Sequence, residues 1–95
     1  MYLVVSRWEA IPGKEEEVRR RSEPVREVLR AQPGVELVHS MFNGNTAVAV
    51  HGYTDEAAYQ RVVHDPNGAF AKAVAAQGLE EVASWKGSES GYTVD

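Results

Sequence analysis

Apolar positions along the chain follow a strand pattern at its start and a helix pattern directly after it. Residues 2–10 are rich in β-branched and aromatic side chains, which predicts a first strand that ends before Pro12 and Gly13. Over residues 14–32 the apolar side chains recur every three or four positions, which predicts an amphipathic helix. Pro24 lies inside that pattern, so we expect a kink there or a helix that starts in two pieces.

A hairpin follows the first helix. Residues 35–42 and 46–53 both read as strands, and Asn43-Gly44 between two such runs is a strong hairpin signal. Alternation assigns two faces, each with apolar members that need a cover. One face carries Val35, Leu37, His39, Met41, Thr46, Val48 and Val50, and the other carries Glu36, Val38, Ser40, Phe42, Ala47, Ala49, His51 and Tyr53.

The second half of the chain predicts one interrupted helix and a last strand. Thr54 is expected to be the N-cap, and helical spacing runs to Gly78 with a break at residues 65–68. Residues 80–86 read as the last strand. The polar segment 87–95 is expected to be either a frayed tail or an arm laid on a partner.

The order of these elements is βαββαβ, which indicates a ferredoxin-like α+β fold within one domain, residues 1–95. In this fold a four-stranded antiparallel sheet has both helices on one face. The apolar residues on the other face then need a cover, and a second copy of the chain would supply it, so we expect a homodimer. A pocket for a small molecule is expected between sheet and helices.

Composition narrows the function. The 95 residues carry a net charge of −4, which disfavours binding to nucleic acid. The absence of cysteine removes disulfides, thiol nucleophiles and metal–thiolate sites. No apolar run approaches membrane-spanning length, and the N-terminus has no signal-peptide pattern. We therefore expect a cytoplasmic protein that does not contact membranes. The run Arg19–Arg21 follows three glutamates at helical spacing and is interpreted as a solvent face neutralised by ion pairs.

His51 is the candidate general base or acid, because imidazole titrates near neutral pH. Tyr53 and Tyr59 are candidate hydrogen-bond donors to a substrate oxygen, although a strand histidine and buried tyrosines also serve purely structural roles. His39 and His51 fall on opposite faces, so no metal site is predicted, and no glycine-rich loop suggests a nucleotide cofactor. The predicted substrate-binding residues are Ser6, Trp8, Ser40, Phe42, Ala49, Val62 and Phe70.

Three segments, residues 7–16, 32–35 and 53–59, together resemble the antibiotic biosynthesis monooxygenase family of dimeric α+β barrels. The resemblance implies a cofactor-free monooxygenase that forms quinones from aromatic polyketides. Tyr59 matches the family's helix tyrosine and Lys72 stands where an arginine is expected, which makes both candidate catalytic residues. Tyr53 replaces a tryptophan and Ala49 an asparagine of that family. Haem-degrading relatives are disfavoured, because Ser6, Val62 and Val74 stand near the positions of their site residues.

The resemblance implies an enzyme that needs no cofactor and uses a small aromatic substrate together with O₂. A pocket base removes a proton from the bound phenol or hydroquinone, and the electron-rich ring then reduces O₂ directly. Two alternatives stay open. One is a binding or sensing module with the same pocket and no turnover. The other is a structural dimer whose own side chains leave no useful cavity behind Tyr53.

Overall fold

A computed structural model describes residues 1–94 and confirms the ferredoxin-like α+β fold. The elements in chain order are β1 (Tyr2–Ala10), α1 (Glu15–Arg30), β2 (Val35–Asn43), β3 (Thr46–Tyr53), α2 (Glu56–Val63), α3 (Ala69–Gln77) and β4 (Ala83–Tyr92), with a 3₁₀ turn at Leu79–Glu81. The strands form one antiparallel sheet in the order β2-β3-β1-β4. The predicted break in the second helix separates α2 from α3.

The hairpin between β2 and β3 forms as predicted. Asn43 pairs with Thr46, so Gly44 and Asn45 make the two-residue turn, and Gly44 has a φ of 62° that favours glycine. Partners across the central strands keep the predicted alternation, with Ser40 opposite Ala49.

The first helix is continuous. It runs through Pro24 from Glu15 to Arg30, so the expected division into two pieces is not seen. Its buried side chains are Val18, Val25 and Leu29, which lie at the spacing of one helix face. This face packs on the sheet and holds α1 in place.

The arginine run of α1 is only partly a solvent face. Of the ion pairs expected at a spacing of four residues, Glu17–Arg21 forms, whereas Arg19 pairs with Glu16 and Arg20 with Glu17 at a spacing of three. Arg21 also donates hydrogen bonds to the carbonyl oxygens of residues 77 and 78 at the end of α3. The Arg21 side chain therefore ties two helices together, which charge patterning alone does not predict.

The last strand exists, but its predicted bounds were wrong. Residues 79–81 form a 3₁₀ turn, and β4 runs to Tyr92 instead of ending at residue 86. It pairs with β1 from Ala10↔Ala83 to Tyr2↔Tyr92, so most of the expected frayed tail or dimer arm is sheet. A bulge shifts the register between Arg7 and Trp8. Pairing with β1 overrides the low strand propensity of the glycines and serines in this segment.

The N-cap of α2 is Asp55 and not Thr54. The Asp55 carboxylate accepts a hydrogen bond from the backbone N–H of Ala58 at 2.8 Å. Both residue types suit an N-cap, and Asp55 stands three residues before the backbone N–H that it caps.

The core consists of two separate clusters on the helix-covered face of the sheet. The first cluster lies near the start of β1 and contains Tyr2, Val4, Leu29, Val38, Tyr53, Ala58 and Val62. The second lies near the end of β1 and contains Ala10, Val18, Leu79, Val82 and Ala83. Since Leu29 belongs to one cluster and Val18 to the other, α1 bridges both.

The opposite face of the sheet carries most of the apolar set predicted from the hairpin, extended by β1. Val35 is the exception, because the register shifts between Val35 and Leu37 and Val35 packs against the first cluster. Pairing places Leu3 and Val5 on that face, because Val5 lies opposite Val50. Met41 is 60% exposed there, whereas Val48 is buried between the strands that flank it. None of the helices in residues 1–94 is long and apolar enough to cross a membrane.

A chain that ends after Lys86 should lose stability sharply, because residues 87–92 supply six of the nine paired positions of the β1–β4 ladder and each backbone hydrogen bond contributes about 1 kcal/mol. A chain that ends after Thr93 is the control, since it keeps the whole of β4. Chemical unfolding of both would measure the difference. Equal unfolding free energies for the two truncations would contradict this role for β4.

Candidate functional site

A cavity lies between α1 and the sheet, in the space between the two core clusters. The cavity is partly open to solvent and has a volume of about 80 Å³. Its wall is mostly apolar and is formed by Trp8, Val18, Ser22, Val25, Arg26, Leu29, Ser40, Phe42, Ala47, Val48, Ala49, His51, Phe70, Val74, Leu79 and Ala83. Such a space holds several waters or part of a small ligand.

The cavity exists because small side chains face each other across this part of the fold. Ser40 on β2 and Ala47 and Ala49 on β3 form the floor, and Ser22 on α1 lies in the roof. Larger side chains fill the clusters on either side. The sheet and α1 therefore cannot close the space by side-chain contact alone.

His51 lines the cavity from β3, and its Nδ1 atom lies 3.4 Å from the phenolic oxygen of Tyr53. Burial, and then the positive charge of Arg26, lower the pKa of His51 to about 4. The imidazole is therefore neutral at pH 7. In that form it carries one nitrogen that can accept a proton or a hydrogen bond.

Arg26 brings a positive charge to the same wall. Its Nη1 atom donates a hydrogen bond to the Ser22 hydroxyl at 2.6 Å. Partial removal from water, and then repulsion by Arg30, lower the pKa of the Arg26 guanidinium. Arginine nevertheless keeps its charge in proteins, so the cavity contains a fixed cation.

Aromatic rings supply the flat parts of the wall. Trp8 from β1, Phe42 from β2 and Phe70 from α3 all line the cavity. The guanidinium carbon of Arg19 lies 4.5 Å from the centre of the Phe42 ring, which supports that ring from outside by a cation–π contact. The arrangement suits a planar, largely apolar ligand.

Three of the four predicted catalytic residues do not line the cavity. Tyr53 is fully buried in the first cluster and reaches the site only through its contact with His51; burial, and then Tyr59, raise its pKa. The Tyr59 hydroxyl lies 3.1 Å from Nε2 of His64, away from the cavity wall, and burial raises its pKa as well. Lys72 is exposed on α3.

The predicted substrate-binding residues divide in a similar way. Trp8, Ser40, Phe42, Ala49 and Phe70 line the cavity. Two others do not: the Ser6 hydroxyl lies 2.6 Å from that of Ser88, and Val62 packs in the first core cluster.

Sequence reasoning missed Arg26 and the polar role of Ser22. The signal was available, because both residues lie on the helix face that also carries Val18, Val25 and Leu29. A charged residue beside the buried face of a helix is itself a candidate site residue. Among residues 1–94, no group of three or more histidine or acidic side chains is placed to hold a metal ion.

Comparison with known proteins gives the family. A sequence profile described as antibiotic biosynthesis monooxygenase matches residues 1–76. The chain therefore belongs to the antibiotic biosynthesis monooxygenase family, as its sequence resemblance implied. A search of curated protein sequences finds no significant match.

Solved structures share the fold at low sequence identity. SnoaB from Streptomyces nogalater, described as a cofactor-independent oxygenase, matches with a TM-score of 0.80 and 18% identity over 99% of this chain and 93% of its own. A protein described as an antibiotic biosynthesis monooxygenase matches with a TM-score of 0.80 and 15% identity over 100% of both chains. NE2512 from Nitrosomonas europaea, of unknown function, matches with a TM-score of 0.72 and 20% identity over 99% of this chain and 91% of its own.

The His51 environment predicts a pH dependence of stability. The unfolded imidazole has a pKa near 6.5 and the folded one near 4, so the unfolded state takes up the proton first as pH falls. Stability that is present above pH 6.5 should be lost between about pH 6.5 and pH 4, by up to about 3 kcal/mol. Unfolding across this range should show a shallower dependence in His51→Gln. His39→Gln is the control for loss of an imidazole, and an equal effect of both changes would contradict the assignment.

Proposed function

We propose that this protein is a cofactor-independent oxygenase that acts on a phenol or hydroquinone. The observation that carries the proposal is the partly enclosed cavity in which a neutral His51 faces aromatic walls. Membership of the monooxygenase family and the fold shared with SnoaB support it. The open volume argues against a purely structural dimer, for which no useful cavity was expected.

The size of the cavity favours a small ring at the reacting end of the substrate. A cavity of about 150 Å³ is known to hold benzene, and the 80 Å³ here is smaller. A single phenolic ring therefore enters with side-chain adjustment, and a larger polyketide-type molecule extends through the open side. We choose monocyclic hydroquinones as the first substrates to test.

The proposed reaction begins with proton transfer from the phenol to His51. Nδ1 lies near the Tyr53 hydroxyl, which leaves Nε2 as the accepting atom. The phenolate passes electrons to O₂, and a C–O bond forms between a ring carbon and one oxygen. The protonated His51 returns its proton to the peroxide. Loss of the ring-carbon proton and cleavage of the O–O bond then release water and leave the quinone.

Metal-free protein should consume one O₂ per hydroquinone and release a quinone, and His51→Ala should lower this rate at least tenfold because the base is lost. His39→Ala is the matched control, since His39 is exposed on the opposite face of the sheet. An oxygen electrode measures the O₂ consumed, and absorbance measures the quinone released. Binding of the hydroquinone without O₂ uptake would sink the oxygenase proposal and leave a binding module.

We also propose that the protein is a homodimer in which the open faces of two sheets meet. The face predicted from the hairpin carries Leu37, Val50 and the exposed Met41, and β1 adds Leu3 and Val5. Apolar surface of this kind on so small a chain favours association. The cytoplasmic location expected from the sequence stays a prediction.

Sedimentation should give a particle of about twice 10.5 kDa at micromolar concentration. Met41→Asp places a charge on the proposed interface and should shift the protein toward a monomer, whereas Ser40→Asp on the helix-covered side of β2 should not. A monomeric wild-type protein would refute the dimer.

A further inference from the structure

We propose that Arg26 and Ser22 form an anion-binding subsite in this cavity, and that the subsite holds the oxygen of an aromatic oxyanion. The inference rests on the proposed function for its substrate and assigns to Arg26 the stabilisation of the phenolate. It replaces Lys72, which is exposed on α3, as the source of positive charge for the reaction.

The first observation is that Arg26 differs from its neighbours on α1. Arg19, Arg20, Arg21 and Arg30 each pair with a glutamate of the same helix. Among residues 1–94, no carboxylate lies within 4.0 Å of the Arg26 guanidinium, whose hydrogen-bond partner is the Ser22 hydroxyl. Among the arginines of α1, the one that faces the cavity is therefore the one with no ion-pair partner in the described residues.

The second observation is the orientation of the pair. The Ser22 hydroxyl donates to the carbonyl oxygen of Arg19 at 3.2 Å and accepts from Arg26, so it fixes one edge of the guanidinium. A guanidinium has five N–H donors, and one bond to serine leaves others for a ligand oxygen. The fork geometry suits an oxyanion.

The third observation is the electrostatic coupling across the cavity. The Arg26 charge acts on His51, which lines the same space from β3. Glu23, Glu27 and Arg30 on α1 also act on Arg26, but the two glutamates do not form ion pairs with it within the described chain. An anion bound between Arg26 and His51 would relieve the repulsion that disfavours a proton on the imidazole.

The chemistry requires such a group. An ordinary phenol has a pKa of about 10, so proton transfer to an imidazole with a pKa of about 4 is unfavourable by about six pKa units. A cation in a partly dry cavity lowers the pKa of the phenol, and the phenolate, once formed, raises the pKa of the imidazole. Arg26 therefore narrows the difference in pKa between the bound phenol and His51, which lets His51 act as the base.

The test uses 4-nitrophenol in the absence of any hydroquinone, with absorbance of the phenolate as the signal. We expect the bound phenol to ionise at a lower pH than the free phenol. Arg26→Met should remove this shift and weaken binding of the phenolate about tenfold, the loss expected for one charge-assisted hydrogen bond. Arg26→Lys keeps the charge without the fork and should retain part of the shift.

Arg20→Met is the matched control, because it removes the same charge from an exposed position of α1. An NMR titration of His51 without ligand gives a second readout: Arg26→Met should raise the His51 pKa above about 4 and Arg20→Met should not. Unchanged phenolate binding and an unchanged His51 pKa in folded Arg26→Met would overturn the subsite. Phenolate binding without oxygen uptake by the wild-type protein would instead refute only the oxygenase function.

Discussion

The packing of α1 on the sheet is the interaction on which both the core and the site depend. One end of its buried face enters the first cluster through Leu29, and the other end enters the second through Val18. Between these anchors the same face carries Ser22 and Arg26, opposite alanines and a serine of the sheet. A helix held firmly at both ends thus spans a gap in the middle, and the gap is the cavity.

The polar groups of the gap share one electrostatic condition. Removal from water disfavours the charged forms of both His51 and Arg26, and the Arg26 charge further disfavours a proton on His51. Without a ligand the balance is reached by keeping His51 neutral. A negatively charged ligand changes that balance for both groups at once, which links substrate ionisation to the protonation state of the base.

Local patterns were sufficient where a residue's environment is decided by its near neighbours in sequence. The Asn43-Gly44 hairpin signal and the alternation of the two strands located the floor of the cavity, including Ala49 and His51. They were insufficient where distant pairing decides, since the glycines and serines of β4 become a strand only because β1 pairs with them. The site roof was missed because the interpretation of the charged residues of α1 stopped at Arg19–Arg21, although the position of Arg26 on the helix places it beside the buried stripe.

The unfilled space has a consequence for how this sequence can change. The cavity of about 80 Å³ is partly open to solvent, and its small lining side chains forgo packing contacts in a protein whose margin of stability is only about 5–15 kcal/mol. A random exchange of Ala47 or Ala49 for a bulkier aliphatic residue would strengthen folding while obstructing the chamber. The small residues at these two positions therefore keep the chamber open at the expense of tighter packing.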